Sequence, residues 1–338
     1  MAKKLQEVTE AQWKLCNEFN RSIAEEFLST SDELSDKTKP QYRSGIRIWV
    51  NWIRENAGNK QITDIKSMDY KRYQSWLFNQ GLGESAIKFK RACVSTLNNY
   101  IILYYESDYP TFKNFVNKNI KVPTLGEVHE KKPLTPDEYK YLCDELARME
   151  EWQKLAYVKF TYSTGCRRAE SRQLLKEVVT YPPIVKDVKV KDEEGKENVV
   201  TTRTYKTHDI RCKGKSKLGK VRKLQFDQDA MDAINKWLEV RGEDDCPHVF
   251  VVIDKTNNVV RQVGEGTFNG WASGLFTEII GRRVHCHLFR ESRATNLVVH
   301  SGRSIDAVKS LLGHNDISTS QIYVIRDDKD DADEAFVD

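Results

Sequence analysis

Apolar side chains recur along most of this chain at three- and four-residue intervals, the spacing that draws a single stripe down an α-helix. Over residues 1–30, Trp13, Phe19, Ile23 and Phe27 mark the inward positions of a polar helical lead-in. After the polar cluster Ser29-Thr30-Ser31-Asp32, a second helix carries Tyr42, Ile46, Trp49, Val50 and Ile53, and Asn56-Ala57-Gly58-Asn59 ends it. Asp69 is the expected N-cap of a third helix with Tyr70, Tyr73, Trp76 and Leu77 inward, stopped at Gly81-Leu82-Gly83. A fourth runs from Ser85 to about Tyr105, with Ile87, Val94, Leu97, Ile101 and Ile102 apolar and Lys88, Lys90 and Arg91 clustered near its start. Residues 31–120 thus read as a small helical module whose tryptophans and tyrosines fall on the apolar stripes, where core groups belong.

Residues 121–133 lose this periodicity and end in Lys131-Lys132-Pro133, a linker composition. A second domain, residues 134–325, opens with Leu134-Thr135-Pro136-Asp137-Glu138, in which Thr135 caps a helix and Pro136 takes its first position. The next helix holds Leu155, Val158 and Phe160 and leads to Thr164-Gly165-Cys166-Arg167. From Val178 to Leu224 valine and threonine alternate with polar residues, and Glu193-Glu194-Gly195 marks a turn, which predicts a small antiparallel sheet. Helical spacing returns from Ala230 to Val240 and dominates from Ser292 to Leu312. The expected fold class is mainly α with a small antiparallel β-sheet, in two domains and without internal repeats.

At 338 residues, 39% of them apolar, the chain has material for two cores. No run approaches the length of a membrane span, and Met1-Ala2-Lys3-Lys4-Leu5-Gln6 lacks a signal-peptide core, so a soluble, cytoplasmic protein is expected. Seven scattered cysteines form neither a disulfide framework nor a metal-ligand pair, and the alternating His285-Cys286-His287 is a poor tetrahedral site. Neither metal nor cofactor is expected. The net charge of +4 hides a basic body, because residues 327–338 hold seven acids and one lysine, and the rest of the chain carries +10. Such a body suits a polyanion partner. The acidic tail, residues 326–338, reads either as a solubilising end or, through its apolar tip Ala335-Phe336-Val337, as a segment that docks on a neighbouring protomer.

Chemistry concentrates late in the chain. His287-Leu288-Phe289-Arg290 is followed by Leu311-Leu312-Gly313-His314 and then by Tyr323. Breaking a phosphodiester without metal or cofactor needs an in-line nucleophile, cationic donors on the non-bridging oxygens, and an acid for the leaving oxygen. A tyrosine makes the covalent step reversible, because a phenolate both attacks and leaves. Arg167 and Arg290 come from distant segments as two sides of a phosphate clamp, and His287 precedes Arg290 by one helical turn. Ile305, Val308, Leu311 and Leu312 form an inward stripe, Gly313 stops the helix, and His314 emerges just past it. Eight of the nineteen residues from Lys206 to Leu224 are basic, so a hairpin lysine can act as general acid on the leaving 5′ oxygen. Lys213 and Lys215 compete for that role, with Lys217 and Lys220 beside them.

In combination these motifs, with Gly165-Cys166-Arg167-Arg168-Ala169-Glu170, resemble the tyrosine recombinases, or phage-integrase family, over residues 134 to 325. The helical module resembles that family's core DNA-binding domain more loosely. The resemblance implies catalytic roles for Arg167, Lys213, His287, Arg290, His314 and the nucleophile Tyr323, with Glu170 in support. Lys88, Lys90, Arg91, Lys215, Lys217 and Lys220 are candidate DNA contacts. It further implies a C-shaped clamp on double-stranded DNA with inverted-repeat core sites, a 3′-phosphotyrosyl intermediate, strand exchange in a homo-tetramer, and an accessory DNA-bending or directionality factor. Integration or excision of a mobile element is the expected role. Phe289 stands where the family more often has leucine, a packing change that leaves the chemistry intact. Two competing readings are a type IB topoisomerase, which typically carries lysine at the position of His287, and a non-catalytic DNA-binding regulator, which the filled catalytic positions argue against.

Overall fold

Local capping decides where the helices begin. Thr9 and Gln12 exchange side-chain and backbone hydrogen bonds at the start of α1 (Glu10–Leu15). Asn17 then interrupts the expected single lead-in helix and caps α2 (Glu18–Thr30). In the computed structural model, which describes residues 5–116, 132–191, 197–212, 214, 219–254, 256–257 and 259–313, the chain forms two units, Met1–His129 and Glu130–Asp338.

The first unit adds α3 (Lys39–Asn56), α4 (Ser67–Asn79) and α5 (Glu84–Tyr104). Most of the residues that the stripes marked form its core: Trp13, Ile23, Phe27, Ile46, Trp49, Ile53, Tyr70, Tyr73, Leu77, Leu97 and Ile101 are buried, whereas Phe19, Tyr42 and Trp76 are half-buried and Ile102, which points off the stripe of α5, is exposed. Trp49 lies at the centre, stacked on Trp52 and in contact with Tyr73. Asp69 is not the N-cap of α4: Lys66 holds that place, and the Asp69 carboxylate, three residues in, accepts the Lys66 backbone N–H at 3.2 Å. A carboxylate one turn inside serves the orphan N–H groups as well as one at the cap.

The second unit is built around α7 (Trp152–Thr164), whose Leu155, Tyr157, Val158, Phe160 and Tyr162 are buried. Against it pack α6 (Pro136–Arg148), entered through the Thr135/Glu138 capping box, α9 (Gln228–Arg241) and α12 (Leu288–Thr295). A four-residue turn of helix, α8 (Arg168–Ser171), follows α7. The predicted sheet is resolved into separate ladders. β1 (Ile184–Lys191) pairs antiparallel with β2 (Glu197–Lys206), from Ile184 opposite Thr204 to Lys191 opposite Glu197, and β2 pairs with β5 (Gln225–Asp227). β3 (Ile210–Cys212) and β4 (Lys220–Arg222) form their own hairpin, with Cys212 opposite Lys220. A further pair, β6 (Val251–Asp254) and β7 (Val259–Gln262), precedes α10 (Glu265–Trp271) and α11 (Thr277–Ile280).

The helical spacing that dominates from Ser292 to Leu312 is realised in two helices with a break between them. After α12 the backbone passes through a π-helical segment at Asn296–His300 and re-enters helix as α13 (Ile305–Leu312), capped by Ser304 and stopped by Gly313 in the left-handed conformation. The entry to this unit is fastened far along the sequence. Ser292 Oγ accepts the Leu134 N–H at 2.8 Å, and Asn296 Nδ2 donates to the Leu134 carbonyl at 3.0 Å. Among the described residues no helix is long and apolar enough to cross a membrane. The predicted turn at Glu193-Glu194-Gly195, linker residues 121–131 and the acidic tail lie outside the described residues.

Candidate active site

Helix α7 ends because Gly165 adopts φ +59°, and only glycine fits there: a β-carbon would lie 2.2 Å from Leu312 Cδ2. The chain then turns outward through Cys166 and presents Arg167 at the N-cap of α8. Glu170, three residues on and buried, accepts the Arg167 backbone N–H at 3.1 Å and its Nη1 at 3.0 Å. The arginine side chain keeps about a third of its surface open, 32%, so a fixed guanidinium faces outward. A buried carboxylate thus holds a partly exposed arginine in place.

Arg290, on α12, is fully buried. Its Nη1 donates to the Gly165 carbonyl and its Nη2 to the Leu312 carbonyl at 3.0 Å. One guanidinium therefore ties the segment that presents Arg167 to the end of α13, immediately before His314. His287 stands half-buried at the N-cap of α12, not inside the helix, and this puts it one turn from Arg290 at the helix entrance. Gly313 closes α13 as its sequence predicted, with φ +65°.

The hairpin β3–β4 is attached to the same place. Gln173 receives the Arg211 backbone N–H at 3.0 Å and donates to the Arg211 carbonyl at 2.9 Å and the Ala169 carbonyl at 2.7 Å. On the other strand Arg222 Nη1 donates to the Leu311 carbonyl at 2.9 Å, and its Nη2 lies 3.6 Å from Glu170 Oε2. Cys166 and Cys212 line this region as neutral thiols. Burial, seconded by the Glu170 charge, pushes Cys166 up to about 12 and raises Cys212, so neither is a nucleophile near neutral pH.

Lys213, Lys215, Lys217, His314 and Tyr323 lie outside the described residues. Lys220 is exposed on β4. The remaining DNA-contact candidates belong to α5 of the first unit: Lys88 is exposed and paired with Glu84 at 2.5 Å, Lys90 is half-buried, and Arg91 donates to Gln74 at 3.2 Å. Arg222 and Gln173 received no role from the sequence. The signal for Arg222 was its place opposite the buried Ile210 in a strand register that one chain does not reveal.

The model of the phage integrase family matches residues 132–330, the whole second unit but its ends. The chain belongs to the phage integrase family, the tyrosine recombinases. It is 31% identical to the SPbeta prophage-derived recombinase-like protein YomM of Bacillus subtilis, over 99% of this chain and 96% of that one. The tyrosine recombinase XerC of Pediococcus pentosaceus is 24% identical over 89% of this chain and 91% of its own. Among solved structures, the Tn1549 transposon integrase in complex with transposon right end DNA superposes with TM-score 0.65 at 16% identity, covering 94% of this chain and 98% of that one. The XerH recombinase bound to difH has TM-score 0.61 at 15% identity, over 100% and 99% of the two chains. This recombinase thus shares its fold with the integrases along nearly its full length, and its activity class is site-specific DNA recombination.

Proposed function

We propose that this tyrosine recombinase cleaves and rejoins duplex DNA through a 3′-phosphotyrosyl intermediate, and that it integrates or excises a mobile element. Tyr323 loses its phenolic proton to solvent and attacks the scissile phosphorus as phenolate, the new bond from its oxygen to phosphorus replaces the bond to the 5′ oxygen, and that oxygen departs with a proton from Lys213 or Lys215. The reverse attack by a 5′ hydroxyl of the partner strand restores the backbone and frees the tyrosine. Arg167, Arg290, His287 and His314 neutralise the charge that develops on the non-bridging oxygens. The observation that carries this reading is the convergence of Gly165–Glu170, the start of α12, the β3–β4 hairpin and the end of α13, cross-tied by Arg290 and Glu170. Four segments that carry or adjoin the reactive residues are thereby held around one point.

The likeness to YomM, a prophage-derived protein, and to a transposon integrase supports the mobile-element role. A homologous fold appears in a lambda integrase tetramer bound to a Holliday junction, which supports assembly of four copies on inverted-repeat sites. The basic charge of the body supports the contact with double-stranded DNA, and accessory bending or directionality factors would act on that assembly.

The test is capture of covalent adducts. Purified protein is mixed with a library of random-sequence duplexes, quenched with SDS, and the attached DNA sequenced. Unsubstituted protein is expected to retain one inverted-repeat family, Tyr323→Phe to bind DNA without forming an adduct, and Arg167→Ala to lose cleavage by about 10²-fold or more, the scale of a missing transition-state charge contact. Adducts of equal yield from Tyr323→Phe would assign the nucleophile elsewhere. Adducts scattered over all sequences would instead indicate a type IB topoisomerase, and none at all a DNA-binding regulator.

A further inference from the structure

Arg222 ends strand β4 with its guanidinium turned away from solvent; its side chain is 15% exposed. Three segments meet on that one group. Nε donates to Cys212 Sγ across the hairpin at 3.4 Å, Nη1 donates to the Leu311 carbonyl at 2.9 Å, and Nη2 faces Glu170 Oε2 at 3.6 Å. The plane also lies flat against Gly313: a β-carbon there would come within 2.6 Å of Nη1 and 2.9 Å of Cζ. The left-handed glycine therefore does two jobs, stopping α13 and leaving room for the arginine.

Each partner adjoins a residue of the reaction. Glu170 holds Arg167, Cys212 directly precedes Lys213, and Gly313 directly precedes His314. The partners differ in how they would survive the loss of Arg222. Arg167 keeps both of its bonds to Glu170, and the end of α13 keeps the Arg290 bond to the Leu312 carbonyl. The hairpin keeps its β3 anchors, the buried Ile210 and Cys212 and the Gln173 bonds, while strand β4 keeps its backbone pairing with β3 but loses its side-chain tie to Glu170 and the end of α13.

We propose that Arg222 is a positioning residue that locks the β3–β4 hairpin, whose sequence carries the candidate general-acid lysine next to Cys212, against the Arg167–Glu170 segment and the end of α13. The inference rests on the strand-transfer reading given above. Charge alone is insufficient for this task, because the three acceptors lie on three sides of a planar fork that an ammonium group cannot span. Displacing an acid by about 1 Å is worth on the order of 10²-fold in rate.

The experiment compares single-turnover cleavage by unsubstituted protein, Arg222→Gln and Arg222→Lys on the duplex captured in the adduct selection. The duplex is made in two forms, with the ordinary 5′ bridging oxygen and with sulfur at that position. A thiolate leaves without protonation, so sulfur bypasses the general acid. Arg222→Gln is expected to cleave the oxygen duplex about 10²-fold more slowly, to cleave the sulfur duplex within about fivefold of the unsubstituted rate, and to bind both with unchanged Kd. Arg222→Lys should show the same oxygen-specific loss, smaller in size, and thermal melting of both variants establishes that they are folded. Equal losses on oxygen and sulfur, or full activity of either variant on the oxygen duplex, would overturn the inference. An adduct selection that yields nothing with the unsubstituted protein removes the strand-transfer reading itself and the inference with it.

Discussion

His248 shows how a single residue links burial to a solution property. Its ring is half-buried, Nδ1 lies 3.3 Å from Gln262 Nε2, and that same amide nitrogen donates to the Arg172 carbonyl at 2.8 Å. Burial first, then the neighbouring positive groups of Arg172, His208 and Arg241, hold the imidazole below its ordinary value of 6.5. A proton on Nδ1 would face the Gln262 amide nitrogen and add to the positive field of Arg172, His208 and Arg241. The unfolded chain therefore binds a proton near pH 6.5 that the folded chain refuses, so stability falls as pH drops below that value and recovers above it. His248→Gln keeps a polar side chain and removes the titration. Melting temperature measured from pH 7.5 to 5 should fall less steeply in the variant, and parallel curves would show that His248 does not titrate in this range. At this scale the sequence disclosed chemical types better than partners. Arg290 was legible as a cation three residues after a histidine, yet its bonds to Gly165 and Leu312 join positions 125 and 22 residues away. Arg222 stayed hidden among eight basic residues because its neighbours depend on strand register.

Elements with one apolar face were readable, since a stripe of Tyr42, Ile46, Trp49, Val50 and Ile53 states both the helix and its buried side. Short strands carry too few residues for such a signal: β6 and β7, four residues each, went unread. The break between α12 and α13 was equally silent, because Leu297, Val298 and Val299 continue the apolar pattern through the π-helical segment. The hairpin β3–β4 depends on its attachments. Gln173 grips Arg211 by both backbone groups, in the manner of an added strand, and its anchor also reaches the Ala169 carbonyl. Gln173→Ala should loosen the hairpin from the opposite strand to Arg222, slowing adduct formation by roughly tenfold while melting stays within about 3 °C. Single-turnover cleavage beside calorimetry checks this. A large melting shift with proportionate loss of DNA binding would assign Gln173 to general stability.

On the scale of the whole molecule the decisive fact is that, among the described residues, the core of the first unit shares no residue with the main core of the second or with the small cluster of Ala294, Val308 and Leu312 beside it. Trp13, Trp49, Tyr73 and Leu97 close one, and Tyr157, Phe160, Phe226, Phe250 and Phe289 close the other. Every reactive candidate belongs to the second unit, whereas Lys88, Lys90 and Arg91 belong to the first. Phosphate contacts supply affinity in proportion to their number, and transition-state contacts supply rate, so the division of residues predicts a division of labour. Each unit, 129 and 209 residues long, is large enough to bury its own core. Expressed separately, residues 1–129 and 130–338 should each unfold in one cooperative transition. The second fragment alone should still form a Tyr323 adduct, at higher DNA concentration than the intact chain requires and with a shallower dependence of affinity on salt, because fewer phosphates are neutralised. Adduct yield against DNA concentration at two salt concentrations measures both effects. An unchanged salt slope would mean that the first unit contributes no phosphate contacts and that its basic cluster is a solvated helix face.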